Sequence, residues 1–153
     1  MKRSATWAVI GSMFLLHYLF YPIWASAPWG PDFLVPALLL MARRLPPGVA
    51  GAAGCGVGLL EASASLAAIA PTMSVLGVAA IGGSWYQRLF YFESTPSLMA
   101  FVAAGIWVVH LAEALATGDS LSLHAAFLYG PSSGLLSAVA VWLLALAGKW
   151  LSR

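Results

Sequence analysis

Residues 28–48 read PWGPDFLVPALLLMARRLPPG, and how this stretch is read decides the fold. An apolar run opens on Pro31-Asp32, carries Pro36, and stops at Arg43-Arg44-Leu45-Pro46-Pro47. A helix over residues 31–44 supplies only ~21 Å of length, against a bilayer hydrocarbon core of ~30 Å. Its start is nonetheless well formed for a helix. Pro31 suits a first turn, where its missing N–H has no partner to lose. The Asp32 carboxylate suits the free N–H groups and positive end of a helix dipole. Pro36 either kinks the helix or sits late in its first turn.

The rest of the chain says what solvent this run meets. Hydrophobic residues make up 61% of the sequence and charged residues 8%, with a mean hydropathy of +0.89. So few charges cannot build a water-facing surface, which makes this a single integral membrane domain, residues 1–153. The length of 153 residues admits about six spans of ~20 residues and no soluble domain besides. A lone cysteine, Cys55, rules out an internal disulfide and a multi-cysteine metal site. The net charge of +2 is too small to suggest nucleic acid.

Threading the chain gives spans over about 5–27, 31–44, 49–68, 71–88, 97–116 and 131–150, with residues 121–130 either lengthening the last or lying at the interface. Lys2-Arg3 with Ala25-Ser26-Ala27 imitates a signal peptide, but the apolar stretch between them is longer than a signal's ~7–15 residues. It reads as a retained first span. With six spans, Lys2, Arg3, Arg43, Arg44, Arg88, Lys149 and Arg153 all fall on one side, so both termini are expected in the cytoplasm. Dropping the short second span moves Arg43 and Arg44 across and breaks the pattern. The expectation is that it crosses, aided by thinning, snorkelling arginines or burial among neighbours.

Small residues mark close helix contacts. Ala50, Gly54 and Gly58 form one ridge, and Gly130, Gly134 and Ala138 another; such ridges let backbones approach in lipid. Trp7, Trp24, Trp29, Trp85 and Trp150 fall near span ends, as an interfacial belt does. Trp107 and Trp142 fall mid-span, facing lipid or filling the core.

Ionisable groups inside a membrane are expensive and raise the question of function. Glu61 lies towards the outer half of span three and His17 towards the outer half of span one. His110 and Glu113, three apart on span five, share a face with Trp107 and Thr117. Two readings are open: a proton relay or polar ligand pocket, or a buried hydrogen-bond network that fixes helix register. In the second, Glu61 is protonated or paired with a histidine such as His110. No H-E-x-x-H, G-x-S-x-G or phosphate-cradling loop is present, so no enzyme role, metal or cofactor is expected.

Pro31-Asp32-Phe33-Leu34, the short apolar helix, Ala42-Arg43-Arg44 and Pro46 together resemble the second span of the MreD family of rod-shape-determining proteins. The likeness continues through the glycine-rich third span to Gly58-Leu59-Leu60-Glu61, and to Pro131 before the small residues of the last span. Two features depart from the family: Glu61 stands where an aspartate is usual, and residues 62–71 lack a Gly-Pro-rich turn. The resemblance implies an inner-membrane scaffold of the bacterial elongation complex. Its partner would be an MreC-like bitopic protein, and through it the MreB cytoskeleton and the peptidoglycan polymerase and transpeptidase, with membrane lipid around it. The family's bundle is similar to the S-component of energy-coupling-factor vitamin transporters, which supplies the alternative function. An S-component needs a polar pocket near the outer surface. Outer-side polar residues are few (Asp32, Glu61, Glu113, Asp119 and His124), which suits the scaffold better.

Overall fold

The computed structural model describes residues 3–24, 31–65, 67–89, 95–118 and 120–151. These form six helices: α1 (Arg3–Trp24), α2 (Leu34–Ala42), α3 (Pro47–Ser65), α4 (Ile69–Leu89), α5 (Thr95–Thr117) and α6 (Ser120–Leu151). Lys2, Ala25 to Ala27, Trp29, Glu93, Asp119 and Arg153 lie outside the described residues, as do the side chains of Arg3, Trp24, Arg88, Lys149 and Trp150. Among the described residues three helices are long and apolar enough to cross a membrane: α1 over Thr6–Ile23, α5 over Pro96–Thr117 and α6 over Ser120–Leu144. The chain is an all-α membrane protein.

The opening stretch is shorter than the fourteen residues expected of it. α2 has nine residues, or ~13.5 Å. Asp32 sets its start: the Leu34 and Val35 N–H groups donate to Asp32 Oδ1 at 2.8 and 3.4 Å. This leaves Pro31, Asp32 and Phe33 outside the helix and Pro36 inside its first turn. At the far end, Arg44 and Leu45 N–H close tight turns onto Met41 and Ala42 carbonyls at 2.9 and 3.1 Å. Pro46 and Pro47 then forbid continuation.

Burial accounts for the shortness. Leu34 to Leu39 and Ala42 are all buried, and α2 packs against α1, α3, α4, α5 and α6. A helix wrapped by five others meets protein along its length, so bilayer thickness does not set its length. Its side chains join Ile10 and Met13 of α1, Leu76 and Ala80 of α4, Val102, Ile106 and Val109 of α5, and Ala138 and Val141 of α6 in one core.

α3 and α4 form a close hairpin. A Cβ on Gly54 would stand 2.5 Å from the Leu76 carbonyl oxygen and 2.9 Å from Gly77 Cα, and one on Gly58 2.6 Å from Met73 Cα. α5 and α6 form the other hairpin, and here the expected boundary moves. α6 starts at Ser120, eleven residues before Pro131. Residues 121–130 therefore lengthen the last helix, and Pro131 lies inside it, where it lacks the N–H that would bond the Phe127 carbonyl. Ser132 Oγ donates to the Tyr129 carbonyl at 2.8 Å beside it.

The bundle has two chemically different ends. At one, Arg44 donates to Thr6 Oγ1 at 3.4 Å and Ser84 Oγ donates to the Leu45 carbonyl at 2.7 Å. At the other, the histidines and carboxylates gather.

Candidate functional site

Five ionisable side chains from four segments meet at the end opposite Arg43 and Arg44. Glu61 of α3 lies 3.1 Å through Oε2 from His17 Nε2 of α1, a hydrogen bond. The other nitrogen of that ring, Nδ1, is 3.7 Å from Asp32 Oδ1, just before α2. Asp32 Oδ2 is 3.6 Å from His110 Nε2 of α5, and His110 Nδ1 is 3.9 Å from Glu113 Oε2. The order Glu61–His17–Asp32–His110–Glu113 is a ladder of alternating carboxylates and imidazoles that runs laterally across the bundle. Exposure rises from 12% at His17 and 15% at Glu61 to 35% at His110 and 32% at Glu113.

Asp32 is the joint of this ladder. Oδ1 caps α2 and faces His17, and Oδ2 faces His110. Its N–H donates to Ser137 Oγ of α6 at 2.7 Å, and that hydroxyl donates on to the Ser133 carbonyl at 2.7 Å. One residue thus links α1, α2, α5 and α6. Tyr18 brings a buried hydroxyl with no hydrogen-bond partner among the described residues, and its ring stacks edge-on against His17 at 5.2 Å.

A cleft of about 350 Å³ opens beside the ladder. Its walls carry Glu61, Thr72, His110, Glu113, Tyr129 and Ser133, so both ends of the ladder reach the same space. A second cavity of about 660 Å³, between α4 and α5, is lined mainly by Leu39, Val78, Ala79, Phe101, Val108 and other apolar or small residues, and it holds no ionisable carboxylate or imidazole.

The structure brings Glu61, His110 and Glu113 to one cleft, but Glu61 meets His17 where the sequence suggests His110. Pro31 and Asp32 precede α2, and Asp32 belongs to the polar cluster as well as to the helix start. Gly54 and Gly58 face α4. Gly134 faces the Ala103 carbonyl, and Gly130 faces the Trp107 indole, whose Cδ1 would lie 2.6 Å from an added Cβ. Trp7, Trp85, Trp107 and Trp142 are exposed at 36–59%, on the lipid side.

His17 and Asp32 are the members that sequence reasoning did not place in the cluster. Depth along the threading holds the signal. His17 lies about two turns before the end of α1, Asp32 just before α2, Glu61 one turn before the end of α3, and His110 two turns before the end of α5. Alternating helix directions bring these positions to one level.

No family model, curated protein or solved structure matches this sequence. Fold and site define a class: an all-α membrane protein in which a histidine–carboxylate ladder ties the helices around a polar cleft.

Proposed function

We propose that the protein is a non-enzymatic scaffold of the bacterial elongation complex. It crosses the inner membrane six times with both termini in the cytoplasm, in an S-component-like bundle. It binds an MreC-like bitopic partner, and through it serves cell shape and peptidoglycan synthesis. The observation that carries this reading is the position of the Pro31-Asp32 motif on which the resemblance to MreD rests. Asp32 caps the central helix and contacts groups of α1, α5 and α6. A motif spent on holding helices together suits a scaffold, because its polar atoms are engaged inside the bundle. The paired Arg43-Arg44 at the opposite end supports the cytoplasmic placement of that end. Co-expression of the full chain with an MreC-like protein tests the reading. Stoichiometric recovery in detergent, with no ligand added, is expected; failure to recover the partner under conditions that keep both proteins folded overturns it.

The cleft favours a second reading, substrate binding as in an S-component of a vitamin transporter. Its volume of about 350 Å³ falls within the range of small-molecule sites, and polar groups converge on it. Saturable binding of a vitamin by the isolated protein separates this reading from the first.

A further inference from the structure

We infer that the cleft between α3, α5 and α6 is a binding site for a primary ammonium group. The inference deepens the second reading above, since it names the ligand class of the same cleft.

Charge counting comes first. The ladder holds three carboxylates and two imidazoles. Each ring turns both nitrogens towards carboxylate oxygens, and of the four contacts the one between His17 and Glu61 is at hydrogen-bond distance. Three carboxyl groups thus stand against two imidazoles, so acidic groups outnumber basic ones here. No lysine or arginine lines the cleft, and the described guanidinium groups, Arg43 and Arg44, stand at the other end of the bundle with Thr6. A carboxylate at membrane depth is costly without a partner. A cation supplies one.

Geometry places that cation. At the two ends of the ladder, Glu61 Oε2 is hydrogen-bonded to His17 and Glu113 Oε2 lies 3.9 Å from His110. Among the described residues Oε1 of each has no hydrogen-bond partner. Both residues line the same cleft, on α3 and α5, with the Thr72 and Tyr129 hydroxyls beside them. Two open carboxylate oxygens and nearby hydroxyls ask for a cation that donates several hydrogen bonds.

The class of cation follows. Among the described residues no group of three His, Cys, Asp or Glu is placed to hold a metal ion. A quaternary ammonium has no N–H to donate and is held by aromatic cages, whereas Tyr129 is the one aromatic residue of the lining. A primary ammonium carries three donors on a compact charge, which matches the open oxygens. It can belong to a soluble amine or to an aminophospholipid headgroup, and both present the same R–NH3+ group.

The test uses the full chain in nanodiscs of phosphatidylglycerol, which has no amine, with thermal unfolding as the readout. Ethanolamine hydrochloride should raise the unfolding temperature saturably, and choline chloride at equal ionic strength should not. In discs of phosphatidylethanolamine and phosphatidylglycerol in equal parts, the protein should be stabilised in one of two ways. If the lipid is the source, added ethanolamine has no further effect; if a soluble amine is the source, the ethanolamine response persists. Glu113→Gln, nearly isosteric and at the exposed end of the ladder, should weaken the response roughly ten- to a hundredfold, as loss of a charged hydrogen bond does. Glu61→Gln should do the same. Equal responses to choline and ethanolamine, no response in either disc, or unchanged responses in both variants would overturn the inference. Saturable binding of biotin, which carries no amine, with no response to ethanolamine would overturn the ammonium assignment and leave the ligand-binding reading standing.

Discussion

The two hairpins of the bundle use glycine in different ways. Between α3 and α4 two glycines set backbone against backbone, Gly54 under the Leu76 carbonyl and Gly58 under Met73 Cα, while Gly51 and Gly77 face the Ile81 and Cys55 side chains. α5 and α6 are equally close at Gly134, which faces the Ala103 carbonyl, but four residues earlier Gly130 faces an indole side chain. From there the helices part, and Gly130, Tyr129 and Ala126 become a wall of the cleft. One hairpin is closed from Gly54 to Gly58 and serves as a fixed wall. The other closes at one end only, and the polar chemistry occupies the space left at its open end. Close packing in lipid is a matter of van der Waals fit, so substitution of these glycines tests the comparison directly.

The largest effect is expected in the closed hairpin. Gly54→Ala puts a methyl group against a carbonyl oxygen and a Cα, neither of which can move without shifting the helix. Overpacking of this kind destabilises by roughly 1–3 kcal/mol, and Gly54→Leu should prevent folding. Gly130→Ala should be milder, because the group it meets is the Trp107 side chain, which lies at the lipid side with 36% exposure. Unfolding temperatures of the two alanine variants in detergent measure the difference. Equal losses would remove the distinction between the hairpins.

Next is the strut from the closed hairpin to α1. Glu61 joins α3 to α1 through His17 at 3.1 Å. Polar contacts between membrane helices are worth roughly 0.6–2 kcal/mol, so Glu61→Leu should lose about that much. Glu61→Gln keeps a hydrogen-bonding amide at the same place and should lose less. If Glu61→Gln folds normally yet abolishes function as fully as Glu61→Leu, ionisation itself matters and the structural role gives way to a proton-linked one.

A smaller effect belongs to Asp32, where the short helix meets the ladder. Asp32→Ala removes the acceptor for the Leu34 and Val35 N–H groups, and loss of such a cap is worth about 1 kcal/mol. Asp32→Asn retains an oxygen for the cap but loses the charge that faces His17 and His110. Alanine should therefore destabilise more than asparagine. Equal losses in the two variants would show that charge pairing, which both remove, outweighs the cap.

Much of this was legible in the sequence, for physical reasons that differ from region to region. Helix existence and the glycine ridge follow from hydrophobic length and small-residue spacing, which are local. Arg43-Arg44 and the prolines mark the end of α2 for the same reason. The true length of α2 was not legible, because burial by five helices is a tertiary property and the Pro31-Asp32 start fits a nine-residue helix as well as a longer one. At α6 the sequence left two readings of residues 121–130 open, because Pro131 fits a helix start while the mostly apolar stretch before it fits a longer helix; the helix begins at Ser120. The pairing of Glu61 with His17 depends on which helices are neighbours, and no spacing within one helix encodes that.

The smallest effect sharpens the comparison most. Gly56 lies two residues from Gly54 on α3, and an added Cβ there would meet nothing within 4 Å. Two residues turn an α-helix by about 200°, so the two glycines point to nearly opposite sides, one into α4 and one outwards. Alanine is the better helix former by ~1 kcal/mol in water, although glycine is tolerated more readily in membrane helices. Gly56→Ala should therefore change stability by no more than ~0.5 kcal/mol, towards a gain. Set beside Gly54→Ala, the pair holds composition and helix constant and varies only what the methyl group meets. A loss at Gly56 as large as that at Gly54 would mean that the outer side of α3 also bears a close backbone contact, and the closed wall would then have two faces in place of one.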